Sequence, residues 1–480
     1  MILNTSMFLP ILPEILLVAL GAVVLILDLI LPKKQHRNIG WVTAVGMGLI
    51  LLFSIPARPE AEPNLIWGGM LRHDWLGFSF TMLFVFGAGI TALFAMDFKK
   101  LGHRGEFYLL MIVSTIGMAL MVSAADLVML YLAIETTAIP LYILAGFFIR
   151  DDKSTEAGFK YFLFGAMTSA VMLYGFSLLF GFAGTTNIYQ IAQSVREGGL
   201  PAGALVGSML LVLVGFSFKI AGVPFHFWSP DVYEGSPTPV AGFLSTASKA
   251  AGFVVLLRFM MVVFPDITLQ WGAVITAMSV ATMTLGNLLA LTQKNIKRML
   301  AYSSIAHAGY ALIGVAVISQ IGVSSMVYYL IVYLVTNLAA FGIVASCGRI
   351  TGSDEMTAYY GMSRRSPWLA LALLVALLSL AGMPPLGGFV AKFFVFAAAV
   401  DANMIWLAVI GVLNAIIGMY YYLTVLKYVY LYRSEDEEKP LLVTRPLKLA
   451  ITVLTVGIIL IGTVLVPWFN WATTAAASVF

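Results

Sequence analysis

Cysteine and charge are the two scarce things in this sequence. Cys347 is the single cysteine among 480 residues. The chain therefore has no disulfide of its own, and it cannot ligate an iron–sulfur cluster, which takes about four cysteines. Five histidines (36, 73, 103, 226 and 307) are scattered, with no metal-ligand pair at helical spacing. Neither a P-loop nor a G-x-G-x-x-G turn following a strand occurs. The expectation is a chain with no metal, no cofactor and no nucleic-acid partner. If it moves ions uphill, the energy must arrive from a partner or from another gradient.

Charged residues make up 10% of the chain and hydrophobic ones 61%, with a mean hydropathy of +0.96. Soluble domains carry about 25% charge, so this surface cannot face water. Solid apolar runs of about twenty residues recur throughout, the length of a bilayer-spanning helix; a transmembrane barrel would show short alternating segments. The fold class is all-α integral membrane, a single polytopic domain over 1–480. Spans are expected near 8–31, 38–56, 74–96, 106–123, 126–149, 158–182 and 203–228. The next seven are expected near 238–264, 270–292, 299–318, 324–347, 367–400, 404–430 and 447–470, about fourteen in all. Met1 to Asn4 lack the basic start of a secretory signal, so Phe8 to Leu31 reads as a retained first helix.

Of the 27 basic residues, this arrangement puts eighteen in loops at one face and only Arg58, Arg72 and Arg196 at the other. By the positive-inside rule the first face is cytoplasmic, and both termini lie outside. Two loop segments have simple readings. Asn187 to Glu197 places Ile188, Ile191, Ala192 and Val195 on one helical face, which suits a short helix along the outer interface. The charge run Ser434 to Lys439 reads as a solvated cytoplasmic loop.

Ala221-Gly222-Val223-Pro224 in span seven and Ala381-Gly382-Met383-Pro384 in span twelve are nearly the same motif. Proline removes a backbone donor and glycine adds freedom. Broken backbone is tolerated in hydrocarbon only where protein buries it or it lines a wet cavity. The motifs lie five spans apart, so the second copy runs in the opposite direction. Paired broken helices in inverted halves point to an ion or substrate site at mid-membrane; ordinary proline kinks are the plain alternative.

Six basic residues remain inside the spans: Lys160, Lys219, Lys249, Arg258, Lys392 and Lys427. A charge at the bilayer centre costs at least about 2.5–3.5 kcal/mol. Arg258 and Lys427 lie near span ends and are read as snorkelling. Lys160, two residues into span six, fits snorkelling and function equally. Lys219, Lys249 and Lys392 sit among apolar neighbours, and Glu135 is the carboxylate near the centre of a span. A fixed Glu–Lys pair holding helices together is one reading of this set. The other follows from titration: an exposed ammonium titrates near ~10.4, and burial lowers such a value while a nearby carboxylate raises it. A lysine that feels Glu135 in only one state would alternately hold and release a proton. His226, after the break, and His307, in Ser303-Ser304-Ile305-Ala306-His307, could extend such a relay or be satisfied structural histidines.

Together these residues resemble the antiporter-like membrane subunits of respiratory complex I, NADH-quinone oxidoreductase, and within them the subunit N group. The stretches that carry the resemblance are Leu132-Ala133-Ile134-Glu135 on to Pro140 and Phe218-Lys219-Ile220-Ala221-Gly222-Val223-Pro224-Phe225-His226. Trp228-Ser229-Pro230-Asp231-Val232-Tyr233-Glu234-Gly235 and Ala247-Ser248-Lys249 follow. Asn295-Ile296-Lys297-Arg298, Tyr302-Ser303-Ser304-Ile305 and Leu380-Ala381-Gly382-Met383-Pro384 with Gly388-Phe389 and Lys392 complete them. The resemblance implies a first repeat at 106–264, an inverted second at 270–430, and flanking helices at 8–96 and 447–470. It implies that Glu135 and Lys219 form a central pair, that Lys249 joins the halves, that Lys392 serves the exit half-channel, and that Lys160 takes part. A lysine at 392 fits subunit N, where subunit M has a glutamate, and a chain stopping after span fourteen lacks the lateral helix of subunit L. The implied function is proton translocation across a bacterial inner membrane, coupled to quinone reduction in partner subunits that hold the flavin and iron–sulfur clusters. Both termini would be periplasmic. A related membrane-bound hydrogenase or cation/proton antiporter complex, a stand-alone cation transporter and a passive scaffold are the alternatives.

Overall fold

The computed structural model describes residues 8–60, 62–198, 201–434 and 439–479. The start of the chain (Met1 to Asn4) and residues 435–438 of the charge run lie outside them. Among the described residues twelve helices are long and apolar enough to cross a membrane. They are α1 (Leu9–Ile30), α3 (Trp75–Ala95), α4 (Gly105–Ser123), α5 (Leu127–Ala145), α6 (Asp152–Ala183) and α8 (Ala202–Ile220). The rest are α10 (Thr238–Val263), α11 (Pro265–Ala290), α12 (Ile296–Ala316), α13 (Gln320–Thr351), α16 (Ile405–Tyr430) and α17 (Arg445–Thr463). Shorter helices are α2 (Arg37–Phe53), α7 (Ile188–Arg196), α9 (Trp228–Gly235), α14 (Pro367–Ala381), α15 (Gly387–Asp401) and α18 (Leu465–Ala477). The difference from the expected fourteen has two local causes. Helix α2 has only 17 residues, and the twelfth expected span is divided into α14 and α15.

Polar residues set where helices start. Asp74, Asp126, Asn187, Asn295 and Ser319 each accept hydrogen bonds from the first-turn N–H groups of α3, α5, α7, α12 and α13, which have no carbonyl partner inside the helix. Helices at the rim face the hydrocarbon with one stripe. On α17, Leu449, Val453, Val456 and Leu460 are exposed while Leu447, Ile451, Leu454 and Ile458 are buried, the spacing of two opposite helical faces. Helices α10, α12 and α13 are instead buried nearly all round, and α13 packs on α3, α12, α14, α15, α17 and α18. A helix with no lipid-facing stripe belongs in such a position, and its polar groups, such as Arg258 on α10 and His307 on α12, are bonded within the protein. Short strands Asn64–Ile66 and Leu71–His73 pair antiparallel between α2 and α3.

Three expectations need correction. Span seven does not run to residue 228: α8 stops at Ile220, and Trp228 opens the separate helix α9. Arg258 does not snorkel. It is buried on α10 and donates to both carboxylate oxygens of Asp74 at 2.8 and 2.7 Å, where Arg72 adds a second guanidinium at 2.9 Å. Lys297, counted as a loop cation, lies buried in the first turn of α12. It donates to the carbonyls of Glu234 and Ser236 at 2.6 and 2.8 Å, closing the C-terminal end of α9. Lys427 is exposed over the Tyr432 ring at 5.4 Å, in keeping with snorkelling.

Candidate functional site

Both AG-x-P motifs break a helix. At the first, Ala221 adopts a left-handed conformation (φ 56°) and the chain stays irregular until α9; at the second, Gly382 does so (φ 89°) between α14 and α15. Helix α10 packs on α3, α7, α8 and α13 and carries a π-helical turn at Leu244–Ser248, directly before Lys249. Such turns re-aim the following side chains and are frequent at functional sites.

Lys249 donates to Oγ of Ser304 at 2.5 Å and to the Ser304 carbonyl at 3.1 Å, with the Tyr233 ring 5.8 Å away. One turn along α12, His307 lies between two tyrosines: the Tyr329 hydroxyl is 2.7 Å from Nδ1 and the Tyr422 hydroxyl 3.1 Å from Nε2. A neutral imidazole donates from one nitrogen and accepts at the other. A hydroxyl can serve either way, so both tautomers of His307 are satisfied. Ser303 bonds Tyr422 in turn. The electrostatic field at His307 comes from Lys392 and Lys249 together. A cavity of about 10 Å³ lined by His307, Tyr329, Tyr333, Thr336, Ser379 and Leu380 is at the lower bound for one water. Beyond it, Lys392 donates to the carbonyls of Leu380 and Ala381 at 2.8 and 3.0 Å, with the Tyr310 ring 5.1 Å from its nitrogen.

The structure thus brings Lys249, His307 and Lys392 into one buried polar tract across α10, α12 and α15. Lys219 is buried on the last turn of α8, and its ammonium has no hydrogen-bond partner among the described residues. Glu135 acts on it electrostatically, but no ion pair joins the two; the Glu135 carboxylate is held by the Ser169 hydroxyl. His226 is buried just after the first break, in the field of Lys249. Lys160 stands apart. It pairs with Asp231 at 2.6 Å and Glu156 at 2.7 Å, in an ion cluster around α9 that also holds Lys153, Glu234 and Arg298. There burial pushes the Asp231 and Glu234 carboxyls up, but bonds from Lys160 and Arg298 to the first, and from Lys153 and Arg298 to the second, outweigh it. Both are held below the ordinary carboxylate range.

Sequence reasoning missed Tyr329 and Tyr422, the hydroxyl partners of His307. A partial signal was there for Tyr329: Tyr329, Tyr333 and Asn337 recur every fourth residue along α13. Asn337 donates to Ser245 in the π turn at 2.8 Å and to Tyr333 at 3.0 Å.

The family model described as NADH:quinone oxidoreductase/Mrp antiporter, TM, matches residues 124–418, a stretch that contains every candidate relay residue above. The chain belongs to that family. An NADH-quinone oxidoreductase subunit N from Moorella thermoacetica is 43% identical over 469 residues, covering 97% of this chain and 98% of the relative. A chain of respiratory complex I from Thermus thermophilus is 32% identical with a TM-score of 0.77, covering 94% of this chain and 96% of that one. The family fold extends further: a chain of an archaeal membrane-bound sulfane sulfur reductase superposes with a TM-score of 0.84 at 22% identity, covering 98% and 97%.

Proposed function

We propose that this chain is the subunit N-type member of an NADH-quinone oxidoreductase and translocates protons through its buried lysines, driven by quinone reduction in partner subunits. The observation that carries this reading is His307, satisfied in either tautomer and set between Lys249 and Lys392. A group that can exchange which nitrogen holds its proton is suited to pass one on. In this reading the chain crosses a bacterial inner membrane fourteen times with both termini periplasmic. Residues 106–264 and 270–430 are inverted repeats, flanked by 8–96 and 447–470. The flavin, iron–sulfur clusters and quinone belong to partner subunits.

The contacts support the following roles. Lys219, buried without a bond, exchanges its proton as Glu135 approaches or withdraws, so Glu135 modulates and Lys219 carries. Lys249 receives charge at the junction of the halves, and Ser304 steers its ammonium toward His307. His307 hands over to Lys392 across a gap that one water fills. His226 feeds Lys249 from the side of the first break. Lys160 gathers protons among the carboxylates Glu156 and Asp231 at the cytoplasmic end.

The test replaces Lys219 with alanine and follows quinone-linked electron transfer and proton pumping in membranes where the assembled complex is confirmed. Loss of pumping with slowed electron transfer is expected. Unchanged protons per electron would remove Lys219 from the mechanism and leave a structural role for the buried charges.

A further inference from the structure

At the end of the bundle opposite the Lys153–Arg298 cluster, α7, the ends of α10 and α18, Pro63 and Arg72 enclose a cavity of about 710 Å³, a volume that suits a small-molecule ligand. One wall is the amphipathic helix α7, which supplies Tyr189, Ala192, Gln193 and Arg196; the other includes Pro63, Met261, Val262 and Val479. Arg72 lines it as well. By the sequence reading, only Arg58, Arg72 and Arg196 are basic at this face, and two of them line this one cavity. No carboxylate lines it among the described residues.

The two arginines are differently placed. Arg72 is fixed: its terminal nitrogens donate to the Tyr189 hydroxyl and the Ser478 carbonyl, both at 2.5 Å, and its Nε faces Asp74 at 2.9 Å. A guanidinium has five N–H donors, so two remain. The charge of Asp74 is already shared with Arg258, which leaves the group net positive. Arg196, on the last turn of α7, makes no hydrogen bond or ion pair among the described residues. A rigid guanidinium and an unengaged one beside apolar walls form an amphiphilic anion site.

We propose that this cavity binds the headgroup of an anionic phospholipid, its phosphate on Arg196 and the free donors of Arg72, its glycerol end against Met261 and Val262. Planar guanidinium groups match phosphate oxygens in pairs. A soluble phosphate has the same anionic chemistry but no use for the apolar walls. The position favours the lipid, because α7 buries Ile188, Ile191, Ala192 and Val195 against the bundle end and so lies flat where headgroups are.

The experiment uses the whole purified complex, stripped with detergent and incubated with phosphatidylglycerol, phosphatidylcholine or inorganic phosphate. Native mass spectrometry counts the lipids retained. The wild type should keep one phosphatidylglycerol per complex more than either Arg196→Gln or Val262→Trp, which fills the cavity while leaving both arginines. Phosphatidylcholine should be retained several-fold less, and inorganic phosphate should not displace the lipid. Equal phosphatidylglycerol counts in wild type and either variant overturn the proposal, as does equal retention of the two lipids. Displacement by inorganic phosphate also overturns it, in favour of a soluble-anion site.

Discussion

At the first break the last turn of α8 is closed by neutral groups. Trp228 donates from its indole to the Phe218 carbonyl at 3.2 Å, and the backbone N–H of Val223 donates to the Thr282 hydroxyl at 2.9 Å. Lys219, in that same turn, is left with an unbonded ammonium. At the second break a lysine performs the closure. Lys392 reaches back from α15 to the carbonyls of Leu380 and Ala381, while the Gly388 N–H donates to Ser379 at 3.1 Å. The same sequence motif therefore leaves one lysine without a hydrogen bond and ties the other to the carbonyls of a helix C-terminus. Proton loss from Lys219 breaks no hydrogen bond among the described residues, whereas proton loss from Lys392 weakens the bonding of two buried carbonyls. In the proposed relay the second break should change shape as its lysine titrates, and the first should not.

The largest effect expected from this difference is steric. A Cβ on Gly388 would collide with the Ser379 carbonyl oxygen, whereas one on Gly222 would meet the flexible end of Met278, at 3.2 Å, and Ile220. Gly388→Ala should abolish assembly, since a backbone clash exceeds the about 1–3 kcal/mol of ordinary overpacking. Gly222→Ala should assemble at near wild-type levels. Subunit content of isolated membranes checks both, and equal assembly of the two variants would erase the distinction between the breaks.

Next in size is the effect of the lysines on local stability. Lys392→Leu removes two charge-assisted bonds, each worth about 1.5–3 kcal/mol, and should speed amide exchange across 378–388 by more than tenfold. Lys219→Leu removes a buried charge without a bond, so exchange across 217–223 should stay level or slow, since burying an unpaired charge is itself unfavourable. Hydrogen exchange read by mass spectrometry on the assembled complex separates the cases. Faster exchange at both breaks would mean that Lys219 also holds structure.

How much of this could be read from the sequence depended on whether a signal was local. Spans and breaks were legible because a solid apolar run, or glycine beside proline within one, acts on its own few residues. Lys219, Lys249 and Lys392 stood out because hydrocarbon makes each buried charge expensive, whereas buried Lys297 did not, lying in the first turn of α12. Their partners were not legible. Ser304 is 55 residues from Lys249 and Tyr422 is 115 from His307. Arg258 looked like a snorkelling cation because Asp74, 184 residues away, carried no mark of facing it. The π turn before Lys249 left no trace in residue types either, since Leu244–Ser248 reads as plain helix.

Acid should distinguish the breaks as well. Asp231 and Glu234 lie on α9, directly after the first break, and their carboxyls are held below the ordinary range by Lys160, Lys153 and Arg298. With folded values depressed, their stabilisation is complete above the unfolded value near ~4 and is lost as pH falls through the depressed ones. These side chains are 31% and 21% exposed, so each pair contributes less than about 1 kcal/mol. Exchange across 228–236, corrected for its intrinsic pH dependence, should be flat from pH 5 to 8 and rise below 4. Exchange across 387–395 should show no such rise. The contrast should shrink in Arg298→Gln, which loses one partner of both carboxylates while Lys160 and Lys153 keep theirs.

The last contrast concerns the residues in the left-handed conformation. The first break uses Ala221 there and the second uses Gly382. A side chain with a Cβ is strained in that region by about 1–2 kcal/mol, whereas glycine is not. Ala221→Gly should relieve that strain, although glycine also loses more freedom on folding, by about 0.5–1 kcal/mol. The net gain is therefore between nothing and about 1.5 kcal/mol. Gly382→Ala should cost more than the strain alone, because its new Cβ would lie 2.9 Å from Cδ of Lys392 and press the ammonium off its two carbonyls. The pumping assay then gives the comparison its finest test. Gly382→Ala should slow proton transfer through Lys392 while the complex assembles, and Ala221→Gly should leave protons per electron unchanged. If instead Ala221→Gly lowers pumping, the strain at the first break is part of how Lys219 is set for exchange, and the two breaks differ in stored strain as well as in what closes them.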